Sequence, residues 1–206
     1  DTSPILSRIH SRCKEVCCLS ANVVLEVALS YIQVHLDEVA NIVSMSDEKS
    51  IPYEEDMHPF SLLPQEYITQ VGQYLLTIPQ HIEPFIIQEN NAFKIALSNS
   101  ELKSTNKNMI STENNAAEFL LDCITQGTID AFISRILKMK KLNAISKQQL
   151  VTDIGYLNDV LDDLGLSPGE DLQKLHSLLK ASPEQLKTIA KESNSMLVKG
   201  IQHLIE

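Results

Sequence analysis

Three features of this 206-residue chain predict an all-α fold, an elongated bundle of long and short helices. Glycine is scarce, with six in all, so few positions invite the positive φ that tight hairpin turns need. Residues 5–51 contain neither proline nor glycine, the two residues that most often interrupt a helix. Helix-start signals also recur. Thr2-Ser3-Pro4, Ser167-Pro168-Gly169-Glu170 and Ser182-Pro183-Glu184-Gln185 each set a hydroxyl before a proline, and Ser146 with Gln149 spells a capping box.

The first helix is expected from about Pro4 to about Met45, roughly 60 Å at 1.5 Å per residue. Its apolar stripe moves. Ile9, Val16, Val23 and Val27 share one face, while Leu25, Leu29, Ile32, Leu36, Val39 and Val43 share another, about 150° away at 100° per residue. Such a helix packs on different neighbours along its length or kinks. Two helices could not cover both stripes, so a bundle of at least three is expected.

Residues 44–60 hold Asp47, Glu48, Glu54, Glu55 and Asp56 against Lys49, an acidic surface connection. A corner follows over 61–85. Pro64 suits a first helical turn, and Tyr67, Ile68, Val71, Tyr74, Leu75 and Ile78 recur on one face. Tyr67, Val71, Tyr74 and Ile78 are expected to be buried. Pro79 removes a helical donor and clashes with the preceding turn, so this helix should stop near Ile78, with Pro84 helping to redirect the chain. A short helix is expected around Ala92–Leu97, then a mobile Ser/Thr/Asn-rich loop over 99–112.

A second long helix should run from about Glu113 to Lys140. Ala116, Phe119, Leu120, Cys123, Ile124, Phe132, Ile133, Ile136 and Leu137 spread around most of its circumference, which suits the middle of a bundle. The long-helix bundle is thus expected over 1–140. A compact helical cap over 146–206 completes a single helical region. Its first helix buries Leu150, Ile154, Leu157, Val160, Leu161 and Leu164 and ends at a left-handed cap on Gly165. The helix restarted at Ser167-Pro168 carries Leu172, Leu175, Leu178 and Leu179. The one restarted at Ser182-Pro183 carries Leu186, Ile189 and Ala190. The last holds Met196, Leu197, Ile201, Leu204 and Ile205.

A formal charge of −10 argues against nucleic acid or anionic lipid as the main partner, since both call for a basic face. No unbroken run approaches 18 apolar residues, so no transmembrane segment is expected. The chain opens on Asp1 rather than Met, as a processed chain or a cut segment would. Cys13, Cys17, Cys18 and Cys123 lack the spacing of a secreted disulfide framework and read as reduced cytosolic thiols.

Asp159, Asp162 and Asp163 share a helical face, and all-helical prenyl-transfer enzymes hold Mg²⁺ with Asp-rich motifs. Here the order is DxxDD rather than DDxxD, no second such motif stands on a partner helix, and the face lies opposite the Ile154/Leu157/Leu161/Leu164 stripe. A solvated acidic face is the simpler reading. His10, Cys13 and Cys17 share one side of the first helix but would need a fourth ligand from elsewhere to hold zinc. His35, His58, His81, His176 and His203 are scattered, and no GxSxG, HExxH, GxGxxG or GxxxxGK[ST] occurs. Lys138, Lys140, Lys141 and Lys147 could touch phosphate or lipid headgroups, which keeps a peripheral membrane-binding helical domain open beside the prenyl-transfer alternative. No residue is assigned as catalytic, cofactor-binding or metal-ligating, and no cofactor is expected.

Two blocks carry a resemblance. The first is P-x-E-Y-I-x-x-x-G-x-Y followed by P-x-x-x-E-P-F, at Pro64, Glu66, Tyr67, Ile68, Gly72, Tyr74, Pro79, Glu83, Pro84 and Phe85. The second is T-D-I-x-Y-L-x-x-V-x-x-x-L-G-L-x-P from Thr152 to Pro168, then L-L-K-x-x-P-E from Leu178 to Glu184. Together they resemble the C-terminal region of the subunit 7 family of the conserved oligomeric Golgi complex. The resemblance covers roughly residues 61–190 and implies a helical-rod fold like that of other vesicle-tethering subunits, including those of the exocyst. It implies a non-catalytic, peripheral protein on the cytosolic face of the Golgi membrane, acting in intra-Golgi retrograde transport and so keeping glycosylation enzymes in place. The implied partners are other subunits of the complex, its fifth, sixth or eighth foremost, with SNAREs, Rabs or coat proteins as further classes.

Overall fold

The computed structural model describes residues 4–40, 63–87, 95, 116–192 and 195–205. Every regular element among them is helical. In chain order these are α1 (Pro4–Leu36), a 3₁₀ turn (Asp37–Ala40), α2 (Glu66–Ile87), α3 (Ala116–Leu137), α4 (Ala144–Asp163), α5 (Glu170–Lys180), α6 (Pro183–Glu192) and α7 (Met196–Ile205). The all-α expectation is met. The acidic connection over 44–60, most of the expected short helix around Ala92–Leu97 and the loop over 99–112 lie outside the described residues; Ile95 itself is helical.

The chain divides into two compact units, residues 1–31 with 77–127, and residues 32–76 with 128–206. In the first, α1 and α3 approach closely at Gly127. A Cβ there would lie 2.9 Å from Leu29 Cδ1, so only a glycine admits that leucine without adjustment. In the second, α5 packs on α4, and α7 packs on both α5 and α6. Its core is aliphatic, with Ile32, Leu36, Ile68, Leu75, Phe132, Leu150 and Ile154 inaccessible to solvent.

Two helix boundaries differ from expectation. The α-helical part of α1 ends at Leu36, short of the expected end near Met45, of which residues 41–45 lie outside the described residues. Arg135 of α3 reaches this end. Its Nη2 donates to the Gln33 carbonyl at 3.2 Å, and its Nε donates to Asp37 Oδ1 at 2.7 Å. A guanidinium there satisfies one of the carbonyls that a helix C-terminus leaves unpaired, and its charge complements the dipole. The chain tightens to 3₁₀ from Asp37 onward.

The second difference is larger. α2 does not stop near Ile78; it continues through Pro79 and Pro84 to Ile87. An internal proline costs a helix about 3 kcal/mol. The buried stripe explains the continuation. Val71, Leu75, Ile78 and Ile82 recur at intervals of four, three and four and are all buried, so the stripe reads straight through Pro79. Burying Ile78 and Ile82 returns about 1.5–3 kcal/mol each, enough to offset the break. The prolines lie off that stripe, Pro79 half-buried and Pro84 exposed. Of the four residues expected to be buried here, Tyr67, Val71 and Ile78 are, and Tyr74 is half-buried.

The helix starts show which of several caps the backbone selects. α4 begins one turn early, at Asn143, whose Oδ1 accepts from Ser146 N at 2.7 Å. The expected Ser146/Gln149 box therefore does not form. α5 starts after Gly169 without a side-chain cap, two residues later than a Ser167-Pro168 start implies. The Ser182/Gln185 box is realised. Ser182 N donates to Gln185 Oε1 at 2.9 Å, and Gln185 N donates to Ser182 Oγ at 3.3 Å. Gly165 takes φ +70°, with Gly165 N donating to Asp162 O and Leu166 N to Leu161 O, both at 2.9 Å. That is the paired 5→2 and 6→1 pattern which only a left-handed residue closes without strain. In α7, Leu197, Val198, Ile201 and Leu204 are buried, whereas Met196, expected on that face, is exposed.

Two helical glycines give a matched test. A Cβ on Gly72 of α2 would sit 2.6 Å from Tyr156 Cε1 and 2.9 Å from Val160 Cγ2, whereas one on Gly155 of α4 meets nothing within 4 Å. Gly72→Ala is expected to destabilise by about 1–3 kcal/mol through overpacking, and Gly155→Ala to stabilise by roughly 0.5–1 kcal/mol through helix propensity. Urea unfolding of both variants beside the parent checks the opposite signs.

Candidate functional site

Asp153 sits inside the apolar arc of α4, between Leu150 and Leu157, and is fully buried. Its carboxylate faces the start of α2. Oδ1 accepts from the Gln65 backbone N–H at 2.9 Å and from Gln149 Nε2 at 3.0 Å, and Oδ2 accepts from the Tyr67 hydroxyl at 2.5 Å. Gln149, freed from the capping role expected of it, also donates through Nε2 to the Leu63 carbonyl at 2.8 Å. The Tyr67 ring packs against Phe132 with centroids 6.3 Å apart. Two side chains of α4, Asp153 and Gln149, thus organise the entry to α2 through two backbone groups and a phenol. Burial pushes the Asp153 carboxyl above its ordinary range, while the hydrogen bonds from Tyr67, Gln65 and Gln149 pull it back. Burial, the Asp153 charge and their shared hydrogen bond drive the Tyr67 hydroxyl far above its ordinary value, so it remains a donor at every accessible pH.

The joint has no reactive character. Among the described residues Asp153 has no nucleophile or base bonded to it, and Tyr67 is held protonated. What the arrangement can do is hold a register between two helices. It joins the two blocks whose spelling carries the family resemblance. Tyr67 meets Asp153, and five residues further along α2, Gly72 abuts Tyr156. A carboxylate placed within an apolar stripe was the legible signal of a buried partner.

The other candidate residues are dispersed. Asp159, Asp162 and Asp163 are exposed on the outer face of α4. His10 and Cys13 are exposed and Cys17 half-buried on α1, and no metal-competent group of His, Cys, Asp and Glu occurs among the described residues. His81 and His203 are exposed. His176 is held below its ordinary value by burial and by the Lys180 charge, against a hydrogen bond with the Val151 backbone. Lys138, Lys140 and Lys141 are exposed, whereas Lys147 donates to the Ala181 carbonyl at 2.7 Å and so caps the end of α5. A cavity of about 520 Å³, an open surface depression, is lined by Ile133, Leu137 and Met196 together with Lys138, Asp130 and Asp171.

The unusual surface lies on α1. Ile9, Val16, Val23 and Val27 are between 54% and 63% exposed, while Ala21 and Ala28 on the opposite side are buried. Of the two stripes seen in sequence, the first is thus open, whereas in the second Ile32, Leu36 and Val39 are buried and Leu25 and Leu29 half-buried. The segment Pro4–Val39 is long and apolar enough to cross a membrane by length and composition, with only 17% of its most apolar window buried. A window average tolerates the interspersed Ser, Asn and Glu that break an unbroken apolar run, which is why the two counts differ.

Comparison with known proteins places this architecture. The family model described as Golgi complex component 7 matches residues 1–204. The chain belongs to that family. The conserved oligomeric Golgi complex subunit 7 of Drosophila melanogaster is 32% identical over 204 residues, 99% of this chain and 26% of the relative. That of Bos taurus is 37% identical over 139 residues, 66% of this chain and 18% of the relative. That of Arabidopsis thaliana is 27% identical over 175 residues, 82% of this chain and 18% of the relative. The chain therefore spans about a quarter, or less, of the length of these relatives. No solved structure matches. Within the Golgi complex component 7 family the match takes in α1 as well as the two spelled blocks, beyond the 61–190 region that spelling alone marks.

The joint makes two predictions. Asp153→Ala should cost about 3 kcal/mol, because it strands buried donors, and Asp153→Asn should cost less, because the amide oxygen still accepts from Gln65 and Gln149. The sign with pH follows from the raised carboxyl. A folded-state value above the unfolded one stabilises below the unfolded value and is lost as pH rises through the folded value. The parent's advantage over Asp153→Asn should therefore shrink between about pH 3 and neutrality, read by urea melts across that range; an advantage that grows would show that the hydrogen bonds outweigh burial. Separately, burial and the neighbouring Asp122 push the Cys123 thiol up to about 11. In the folded protein at pH 8, Cys123 should react with Ellman's reagent far more slowly than exposed Cys13, each followed in variants that retain one cysteine.

Proposed function

We propose that this chain is a non-catalytic segment of a Golgi vesicle-tethering complex subunit, working through protein–protein contacts. The observation that carries the reading is the family match over residues 1–204, whose relatives are named as subunits of the conserved oligomeric Golgi complex. The geometry supports it. The most elaborate polar arrangement described is a helix-to-helix joint, and the acidic residues considered for Mg²⁺ point to solvent on one helix. Membership implies contact with other subunits, with the fifth, sixth and eighth as the leading candidates and SNAREs, Rabs or coat proteins as secondary ones. It also implies a peripheral position on the cytosolic face of the Golgi membrane and a role in retrograde transport that keeps glycosylation enzymes in place.

The chain shown to be folded by circular dichroism, and offered purified fifth, sixth and eighth subunits one at a time, is expected to retain at least one of them on a column. Retention of none would remove this segment from the contacts of the complex. Binding of a soluble diphosphate with a Mg²⁺-dependent rise in melting temperature would instead favour the prenyl-transfer reading.

A further inference from the structure

We propose that the open face of α1 pairs two copies of this chain, as an antiparallel two-helix seam within the unit formed by residues 1–31 and 77–127. This goes beyond the tethering reading and does not depend on it. The face has coiled-coil spacing. From Leu6 to Ser30, positions recur at alternating intervals of three and four, and every one is exposed. Those 25 positions span about 36 Å at 1.5 Å per residue, enough for a two-helix contact at the low end of stable interfaces.

The content of the seam selects the occupant. In an antiparallel pair, heptad layers join unlike positions. Centring the two-fold axis at the level of Cys18 sets Leu6 against Ser30 of the second copy, Cys13 against Val23, Ser20 against Val16, and Val27 against Ile9. The first three layers each match a small residue with a larger one, and all four recur by symmetry, as an isologous contact requires. The flanking positions agree. The same register brings Arg12 beside Glu26 of the second copy, twice over. Slipping by a heptad in either direction separates them. A parallel pair stacks Ser20 on Ser20 and Ser30 on Ser30 and leaves both charges unmatched. Arg12 bonds Glu15 at 2.9 Å in the single chain, but both side chains are well exposed, so that pair costs little to rearrange.

A bilayer fits the face less well. Glu26 lies on its edge, near the middle of the most apolar part of the helix, and a carboxylate at mid-span is among the costliest placements in a membrane. Ser20 and Ser30 lie within the face, where a helix seam accepts small polar residues more readily than lipid does.

Sedimentation velocity of the 206-residue chain from about 1 to 100 μM is expected to show a monomer–dimer equilibrium, the range in which an interface of this size associates. Val23→Glu should weaken it at least about tenfold, while Ile145→Glu, on exposed α4 surface, leaves it unchanged. Arg12→Glu and Glu26→Arg should each weaken association about fivefold, and the double variant should restore it, a rescue that a folding defect cannot mimic. The register also sets Cys17 beside Cys17 across the axis. Oxidised glutathione should therefore give a Cys17–Cys17 linked dimer, identified by peptide mass, and none in Cys17→Ser. A monomer at every concentration with α1 helical, a double charge variant without rescue, or flotation with phosphatidylcholine vesicles in place of dimerisation would each overturn the proposal.

Discussion

The second unit depends on a carboxylate buried without a cation. Asp153 is compensated by three donors, from Gln65, Tyr67 and Gln149, and two of these come from the first residues of α2 or the turn before it. A buried charge is tolerable only where such donors are already in place. The condition runs both ways. The carboxylate requires α2 to begin where it does, and the chain entering α2 has its Gln65 amide satisfied only if α4 lies alongside. Register between helices far apart in sequence is thereby set by polar geometry. The aliphatic packing around it, from Leu75 to Phe132 and Ile154, would tolerate small slips in a way that a three-donor site does not.

That constraint accounts for the course of α2. With its first turn held by Asp153 and Gly72 set against Tyr156, α2 turns Val71 and Leu75 into the core of the second unit, and Ile78 and Ile82 continue the same interval and are buried too. The local preference of proline then competes with burial already aligned for it, and burial wins. Proline as a stop signal is a statement about an isolated helix. Here the chain on both sides is apolar at the correct interval, and the interval was the better guide.

Much of this was legible in the residues. The all-α class, the Gly165 cap, the Ser182 box and the α4 stripe follow from short-range rules, because each depends on atoms within five residues of one another. What escaped depends on partners far along the chain. Arg135 ends α1 from about a hundred residues away. Asn143 displaced Ser146 as a cap because both are good caps and only the packing of α4 chooses between them. Ser146 is left buried with its hydroxyl unpartnered, a sign that its position was decided by backbone and not by its side chain. Asp153 was visible as a carboxylate in an apolar arc, yet its donors could not be named without the fold. Open and closed faces of α1 were likewise separable as two stripes, but periodicity alone does not say which one the chain itself covers.

The two faces of α1 differ in kind. Its packed side carries Ala21 and Ala28, small residues that let neighbouring helices approach. Its open side carries β-branched valines at heptad spacing with serine and cysteine between them. A side chain selected only for solubility on that surface would be charged or long and polar, as on the outer face of α4. Valine there lowers helix propensity and exposes apolar area without return, unless the area is covered by something else. Even spacing from Leu6 to Ser30 points to a straight, helical cover, and the opposed charges at Arg12 and Glu26 point to one that can run antiparallel. The joint at Asp153 and the seam on α1 then represent two ways of fixing helix against helix. One is polar, buried and specific within the chain; the other is apolar, open and available to a second chain.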